Sequence, residues 1–492
     1  MSKSQDHDAD VVLFPQPPEY QLAPLPPTNP ILGGERFKAY HNALGPSLSW
    51  IPDRSWEIVK EEKAPDMIHV LQFPYNGEPP RERLAAEALT PTKDFFVRNH
   101  GGIPEIDPEA YHLDIGGMVK NPQRLTLADL KDETKFKRMS QTVTIQCSGT
   151  RRLEQLNTYP GSGDELVNAP WGEGAIGNAV WTGVSLKKVI KYCGGLKEGA
   201  KHLEFFGADT YFKKGAVMNY AVSVPWRKVR INEVMLAWEM NGEPLMRIHG
   251  APLRAIVFGY IGARSVKWLT RIDARAQESP RPLQRREYLY YTMQQTKYNN
   301  TYSAGHSIQD MPVSSALLYP LNQSIAIHEG RLHCRGWAYS GGGHWPVRVE
   351  VSVDGGSVWY QTPWDKMSKK GYYSWRTWTA DIPCDAEGWI EVCVRCWDDA
   401  NNTQPTFQRS AWNWDTHVTS SCHRVNVFSI NKTKPDTARR LRQMEEVGED
   451  PRNLTLPLQL DAESDEHWEE VKEQMGYREP PDDMQSDDDI YD

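Results

Sequence analysis

Thr142-Val143-Thr144-Ile145-Gln146-Cys147-Ser148-Gly149-Thr150-Arg151-Arg152 sets a lone thiol and two fixed cations at the end of an alternating apolar run. Val143, Ile145 and Cys147 share one parity, so a half-buried strand over 142–146 carries the sulfur inward with its apolar face. Gly149 turns the chain, and Arg151 and Arg152 follow at once. Guanidiniums beside a thiol favour the thiolate, the form that attacks electrophiles or binds soft metals. A buried structural cysteine beside a surface Arg pair is the plainer reading of the same residues. The rest of the chain decides between the two.

With 492 residues, 39% hydrophobic and 25% charged, the chain has the composition of a globular protein of several domains. No apolar run approaches the ~18 residues a membrane span needs, so no membrane partner is expected. Residues 435–492 hold 19 Asp and Glu against 6 Lys and Arg, net −13, so residues 1–434 carry +4 of the total −9. A mildly cationic body suits a small anionic ligand better than nucleic acid. The 7 cysteines are scattered and odd in number, against a disulfide framework. Cys393 and Cys396 lie on one extended run, where positions three apart point to opposite faces, so neither a shared metal nor a redox pair is expected. The acidic start and the closing Asp488-Asp489-Ile490-Tyr491-Asp492 carry no secretory, transit or peroxisomal address. A cytoplasmic location is expected, with the mitochondrial intermembrane space as the alternative.

Residues 1–74 read as a proline-rich arm, with seven prolines between Pro15 and Pro30. Residues 75–293 alternate short strands and helices, including a helix over 83–89, an apolar strand from Asp94 that runs into a polar loop with a glycine turn before Pro104, and a helix over 186–192 capped by Ser185. Neither G-x-G-x-x-G after a strand nor a phosphate-binding G-x-x-x-x-G-K-[ST] occurs, so NAD and nucleotides have no support. Residues 294–432 change texture: seven short strands are expected over 324–327, 332–339, 347–353, 357–361, 375–382, 389–397 and 423–430. Asp354-Gly355-Gly356 supplies a hairpin turn. The fold class is therefore α+β, a mixed α/β domain followed by an immunoglobulin-like β-sandwich. Ten of the 18 tryptophans lie between Trp337 and Trp414, more than one small core needs, so some are assigned to an interface. Residues 433–492 read as an acidic flexible tail, with a helix only over 461–475.

The first domain places Arg98, His100, Arg151, Arg152, His249, Arg254, Arg264 and Lys267 at loop-like positions, several beside glycines that admit close backbone approach. Each alone reads as solvated or ion-paired. Together with a thiolate they suggest an oxyanion cradle around a phosphorylated cofactor whose metal the cysteine completes.

The stretch 142–152 resembles the molybdenum-cysteine loop of the sulfite oxidase family, which includes the molybdenum domain of eukaryotic nitrate reductases. Phe96-Val97-Arg98-Asn99-His100-Gly101, the segment 171–183, Glu239 to Leu245, His249-Gly250 and Gly262 to Trp268 follow in the family's order. Residues 336–343 and Trp412-Asn413 resemble its dimerisation domain. The resemblance spans about residues 75–430. It implies that Cys147 ligates molybdenum and that Phe96, Arg98, His100, Asp209, His249, Arg254, Ser265 and Lys267 hold molybdopterin. It further implies that Arg152, Tyr288 and Trp171 line the substrate pocket, with Arg376 reaching over from the sandwich.

The implied activity is molybdenum-dependent oxidation of sulfite to sulfate by oxygen-atom transfer in a homodimer. His-Pro-Gly-Gly, the signature of the family's cytochrome b5 type haem domain, does not occur, and no flavin or NAD module is expected. Electrons are then expected to pass to oxygen or to a carrier such as cytochrome c. Two alternatives stand beside this reading: a nitrate reductase molybdenum core, and a non-catalytic binding or assembly member. Ser148 and Thr150 stand where the family often has Ala and Asn, and Glu287 where it has Asp.

Overall fold

A computed structural model describes residues 53–453, apart from 72–73, 159–168, 214–215, 293, 296–298 and 300. The proline-rich run and the helix expected over 461–475 lie outside the described residues.

The strand carrying Cys147 is Arg138–Gln146. It pairs antiparallel with Ile176–Ser185, which pairs with Val234–Met240, and Arg254–Val257 adds to that strand. Burial deepens along it from the exposed Arg138 to the wholly buried Val143–Gln146. Its apolar face joins Phe95, Phe96, Trp171, Trp181, Met235 and Ile256 in one core cluster that includes Cys147. A second five-stranded sheet orders Gln123–Thr126, His112–Gly117, Leu269–Arg275, His202–Lys213 and Ala216–Pro225. Only Leu269–Arg275 against His112–Gly117 is parallel there. Helix Leu186–Tyr192 stands where expected and stops at Gly194 and Gly195, both at positive φ. Ser185 occupies the cap position, but its hydroxyl bonds Asn232 rather than the helix.

The sandwich packs a three-stranded sheet, Ser314–Tyr319, Arg331–Tyr339 and Arg376–Pro383, on a five-stranded one. The latter orders Ser324–His328, His423–Asn431, Gly388–Asp398, Pro346–Ser352 and Tyr360–Gln361. All seven expected strands are present, the one over 357–361 reduced to Tyr360–Gln361, and Ser314–Tyr319 is an eighth. Gly355 and Gly356 take the positive φ that the hairpin turn requires.

Four expectations need correction. The helix over 83–89 is only Arg81–Leu84, and the strand expected from Asp94 before its polar loop is only Val97–Arg98. The arm reaching to 74 contains helix Asp53–Glu62 and strand Ile68–Leu71, held by Ile58 and Val59 packing on Tyr75, Val97 and Ile248. The tail begins with helix Pro435–Val447, whose Leu441 packs on Phe428 and Ile430, so a single apolar contact row is enough to order it.

The two domains meet across strand Arg138–Gln146. The backbone N–H of Thr144 donates to Tyr373 O at 2.8 Å, and its hydroxyl accepts from the Trp375 N–H at 2.8 Å. Trp337 donates from Nε1 to Glu173 O and Trp375 to Ala88 O, so part of the tryptophan surplus does serve this contact. His423 accepts from the Leu317 N–H at Nδ1, which puts its proton on Nε2, facing Glu154 at 3.2 Å and Glu173 at 3.5 Å. Those carboxylates also hold Arg151 and Arg81, closing an ion network between the domains.

Candidate active site

Cys147 lies one residue past its strand, 7% exposed, its N–H bonded to Ala175 O and its sulfur accepting from the Gly149 N–H at 3.3 Å. The Thr150 hydroxyl closes the turn on Cys147 O. Gly149 is required for room rather than for an unusual φ. A Cβ there would fall 2.6–2.8 Å from three atoms of the Arg152 guanidinium.

Cys147 lines a cleft of about 70 Å³. Its walls include Phe96, Arg98, His100, Cys147, Asp209, His249, Arg254, Ser265, Lys267 and Tyr288, so the expected cofactor set converges on one place with the thiol. The convergence follows from chain ends: strand Val97–Arg98, the 3₁₀ turn Arg247–His249 and strand Arg254–Val257 all stop at this cleft.

The cleft is strongly cationic. Arg254 donates to His249 O and Ser265 O, its Nε has no partner, and burial pushes its guanidinium down to about 9. Lys267 donates to Asn99 Oδ1 and, at 3.0 Å, to Ile248 O; burial holds it well below the usual lysine value, and Arg254 adds to the fall. Asp209 is the one carboxylate on the walls, raised by burial against the pull of Lys267 and Arg98. His249 is wholly buried and driven to the neutral form by burial, then by Lys63, Lys267 and Arg254. Lys63, just past the first helix, donates to Thr92 O and Phe95 O and lies 3.1 Å from His249 Nε2. No sequence signal marked it, because its partners lie up to 186 residues away.

Tyr288 sits at positive φ, buried, with its oxygen 2.6 Å from His100 Nε2. Burial raises its phenol far above the usual value, so it stays protonated. The other three residues expected in the substrate pocket are placed differently. Arg152 is buried behind Gly149 and donates to Thr416 O at 2.9 Å and Ala169 O at 2.5 Å. Trp171 is fully buried, edge-on to Phe96 at 6.3 Å, rather than on the cleft wall. Arg376 does not reach over: the first residue of its strand, it donates to Ser368 O and Pro346 O within the sandwich. The segment that does reach over is 413–418. Asn413 donates to Leu289 O, the Val418 N–H to Ser148 O, and Gln155 to Asn413 O. His417 at its centre lies 2.9 Å from Ser148 Oγ.

Buried cations outnumbering carboxylates, an unpartnered Arg254 Nε and an unpartnered Asn99 Nδ2 form the donor set that an anionic cofactor would satisfy. A single soft thiol at the rim is the ligand type that molybdenum accepts. The residues present fit a molybdenum–pterin phosphate.

Residues 100–283 match the model of the oxidoreductase molybdopterin binding domain, and 305–430 that of the Mo-co oxidoreductase dimerisation domain. Sulfite oxidase of Gallus gallus is 36% identical over 359 residues, covering 72% of this chain and 76% of that protein. The chain belongs to the sulfite oxidase family. Sulfite oxidase of Arabidopsis thaliana is 33% identical over 369 residues, covering 72% of this chain and 91% of its own length. The sulfane dehydrogenase SoxCD from Paracoccus pantotrophus superposes with a TM-score of 0.60 at 25% identity, over 73% of this chain and 85% of that one. As a member of the family, the chain is a molybdopterin oxidoreductase whose second domain is a dimerisation domain.

Proposed function

We propose that this chain oxidises sulfite to sulfate and passes the electrons to oxygen or an external carrier, without a haem, flavin or nicotinamide group of its own. The observation that carries the reading is a buried thiol opening onto a cleft with Arg98, Arg254 and Lys267 around a single carboxylate. The bound molybdenum–molybdopterin group would supply two-electron oxygen-atom transfer. Cys147 would ligate the metal. Arg254, Lys267, Ser265 and His249 would hold the pterin phosphate end, and Phe96, Arg98 and Asp209 the remainder. Neutral His249 accepts hydrogen bonds without adding charge, while Arg254 and Lys267 regain their ordinary basicity once an anion offsets their burial.

Substrate attraction follows from the same field. Near neutral pH sulfite is a mixture of singly and doubly charged oxyanions, and a cationic recess lowers the cost of bringing either to a thiolate-rich centre. Tyr288 stays protonated, and in the tautomer where His100 Nε2, 2.6 Å away, carries the proton and donates to the phenol oxygen, the phenol proton is left for the substrate. Arg152 stands behind the thiol loop as a fixed positive charge. Steady-state turnover tests the reading, with sulfite plus ferricyanide in one arm and nitrate plus reduced viologen in the other. Turnover in the first arm is expected. Turnover only in the second would move the chain to the nitrate-reducing branch, and turnover in neither, with no molybdenum bound, to a non-catalytic role.

A further inference from the structure

The second domain sends one imidazole into the space behind Cys147, and no role assigned so far uses it. His417 is 2% exposed. Its Nδ1 lies 2.9 Å from Ser148 Oγ and 3.4 Å from Arg152 Nη2, and its ring centroid is 4.9 Å from that of Tyr288. On the far side Nε2 stands 3.3 Å from an Asp415 carboxylate oxygen. A guanidinium nitrogen only donates, so the Nδ1 that faces it carries a lone pair. The ring proton of the neutral imidazole therefore sits on Nε2, toward Asp415.

The segment is built to hold that geometry. Thr416 and Val418 both adopt positive φ, a cost that non-glycine residues meet only where surroundings over-determine them. Those surroundings are present: Thr416 O accepts from Arg152 Nε, and the Val418 N–H donates to Ser148 O. His417 is thus fixed from both sides to the two residues flanking the thiol turn.

We propose that His417, backed by Asp415, is a positioning residue for the substrate oxyanion. Its Nδ1 lone pair holds the Arg152 guanidinium and the Ser148 hydroxyl in place behind the thiol turn, while its ring seats Tyr288 on the cleft wall. The dimerisation domain thereby sets oxyanion affinity through 415–417, the place where Arg376 had been expected to act. Burial first, then Arg152, keeps the imidazole below its ordinary value, against Asp415 and Glu287, so it serves as an acceptor rather than as a further cation. The inference rests on the sulfite reading for its kinetic arm but not for its spectroscopic one.

The test compares wild type, His417→Ala and His417→Asn, each with molybdenum content measured. His417→Ala should raise the KM for sulfite about tenfold or more with a smaller change in kcat, the signature of lost ground-state alignment. His417→Asn places an amide oxygen near the former Nδ1 and should bring KM back to within about threefold of wild type. An unchanged KM in His417→Ala, or equal impairment of both variants at equal molybdenum content, overturns the proposal. Nitrogen-15 spectra of histidine-labelled, cofactor-free protein read the tautomer directly. Nδ1 bare and Nε2 protonated is the expected result, and a proton on Nδ1 refutes the geometry even where a variant fails to fold. Sulfite turnover absent in the wild type would defeat the functional reading and leave the tautomer measurement to decide this one.

Discussion

Arg254→Met separates the cost of burying a cation from its use. In the ligand-free chain burial takes this guanidinium from 12.5 to about 9. At ~1.4 kcal/mol per tenfold change in acidity, that fall corresponds to about 5 kcal/mol of unfavourable charge burial. Against it stand two charge-assisted hydrogen bonds, to His249 O at 2.9 Å and Ser265 O at 3.1 Å. Each is worth ~1.5–3 kcal/mol. Methionine keeps the packing over Trp181, whose ring centroid lies 4.8 Å from the guanidinium carbon, and removes both terms. The two nearly cancel, so the cofactor-free variant should lie within about 2 kcal/mol of wild type in urea unfolding. With cofactor present the anion has already offset the burial cost, and losing the cation should lower molybdopterin retention at least ~30-fold, the equivalent of about 2 kcal/mol. Urea midpoints of cofactor-free protein, beside molybdenum and pterin content of protein purified from cofactor-producing cells, read both halves. Full pterin content in Arg254→Met would refute the cradle. A loss above about 4 kcal/mol without cofactor would refute the charge-burial argument.

Cys147→Ser should fold, since a hydroxyl can accept the Gly149 N–H in place of the sulfur, yet lose turnover because an oxygen donor replaces the soft ligand; undiminished turnover would mean another ligand. Gly149→Ala should displace the Arg152 guanidinium, costing ~1–3 kcal/mol of stability and raising the sulfite KM, and a variant with wild-type midpoint and KM would contradict the close approach. Arg376→Met should leave the sulfite KM within about twofold of wild type, because its donors serve Ser368 O and Pro346 O; a large rise in KM would restore it to the site. His249 is held below its ordinary value, so above about pH 6.5 it is neutral in both states and contributes no pH dependence. Below that pH the unfolded chain takes up a proton that the folded chain refuses, and stability falls by up to ~1.4 kcal/mol per unit. Urea midpoints at pH 7.5 and 5.5 should therefore converge in His249→Gln, and an unaltered difference would contradict the assignment.

The thiol loop was legible because strand parity places Cys147 with Val143 and Ile145, and the structure keeps all three in one core cluster. The sandwich was legible from short strands set off by turn signals, and the Asp354-Gly355-Gly356 hairpin takes the positive φ those glycines allow. Legibility ended where partners are remote or irregular. Lys63 reaches His249 only through the fold, and its helix was hidden inside a stretch dominated by proline composition. Arg376 misled because its reach toward the site was carried over from the family resemblance, whereas in strand register it pairs with Ala338 inside the sandwich. Asp415 to Val418 carries no periodicity, and its two positive-φ residues are not glycines, so nothing in the sequence announced a crossing.

The central claim is that Cys147 and the cationic cleft hold a molybdenum group that oxidises sulfite. Sulfate produced per bound molybdenum in one anaerobic turnover, with no added electron acceptor, tests it most directly. About one equivalent is predicted for oxidised wild type and none for Cys147→Ser. Absence of sulfate from molybdenum-loaded wild type, or equal yield from the variant, would contradict it.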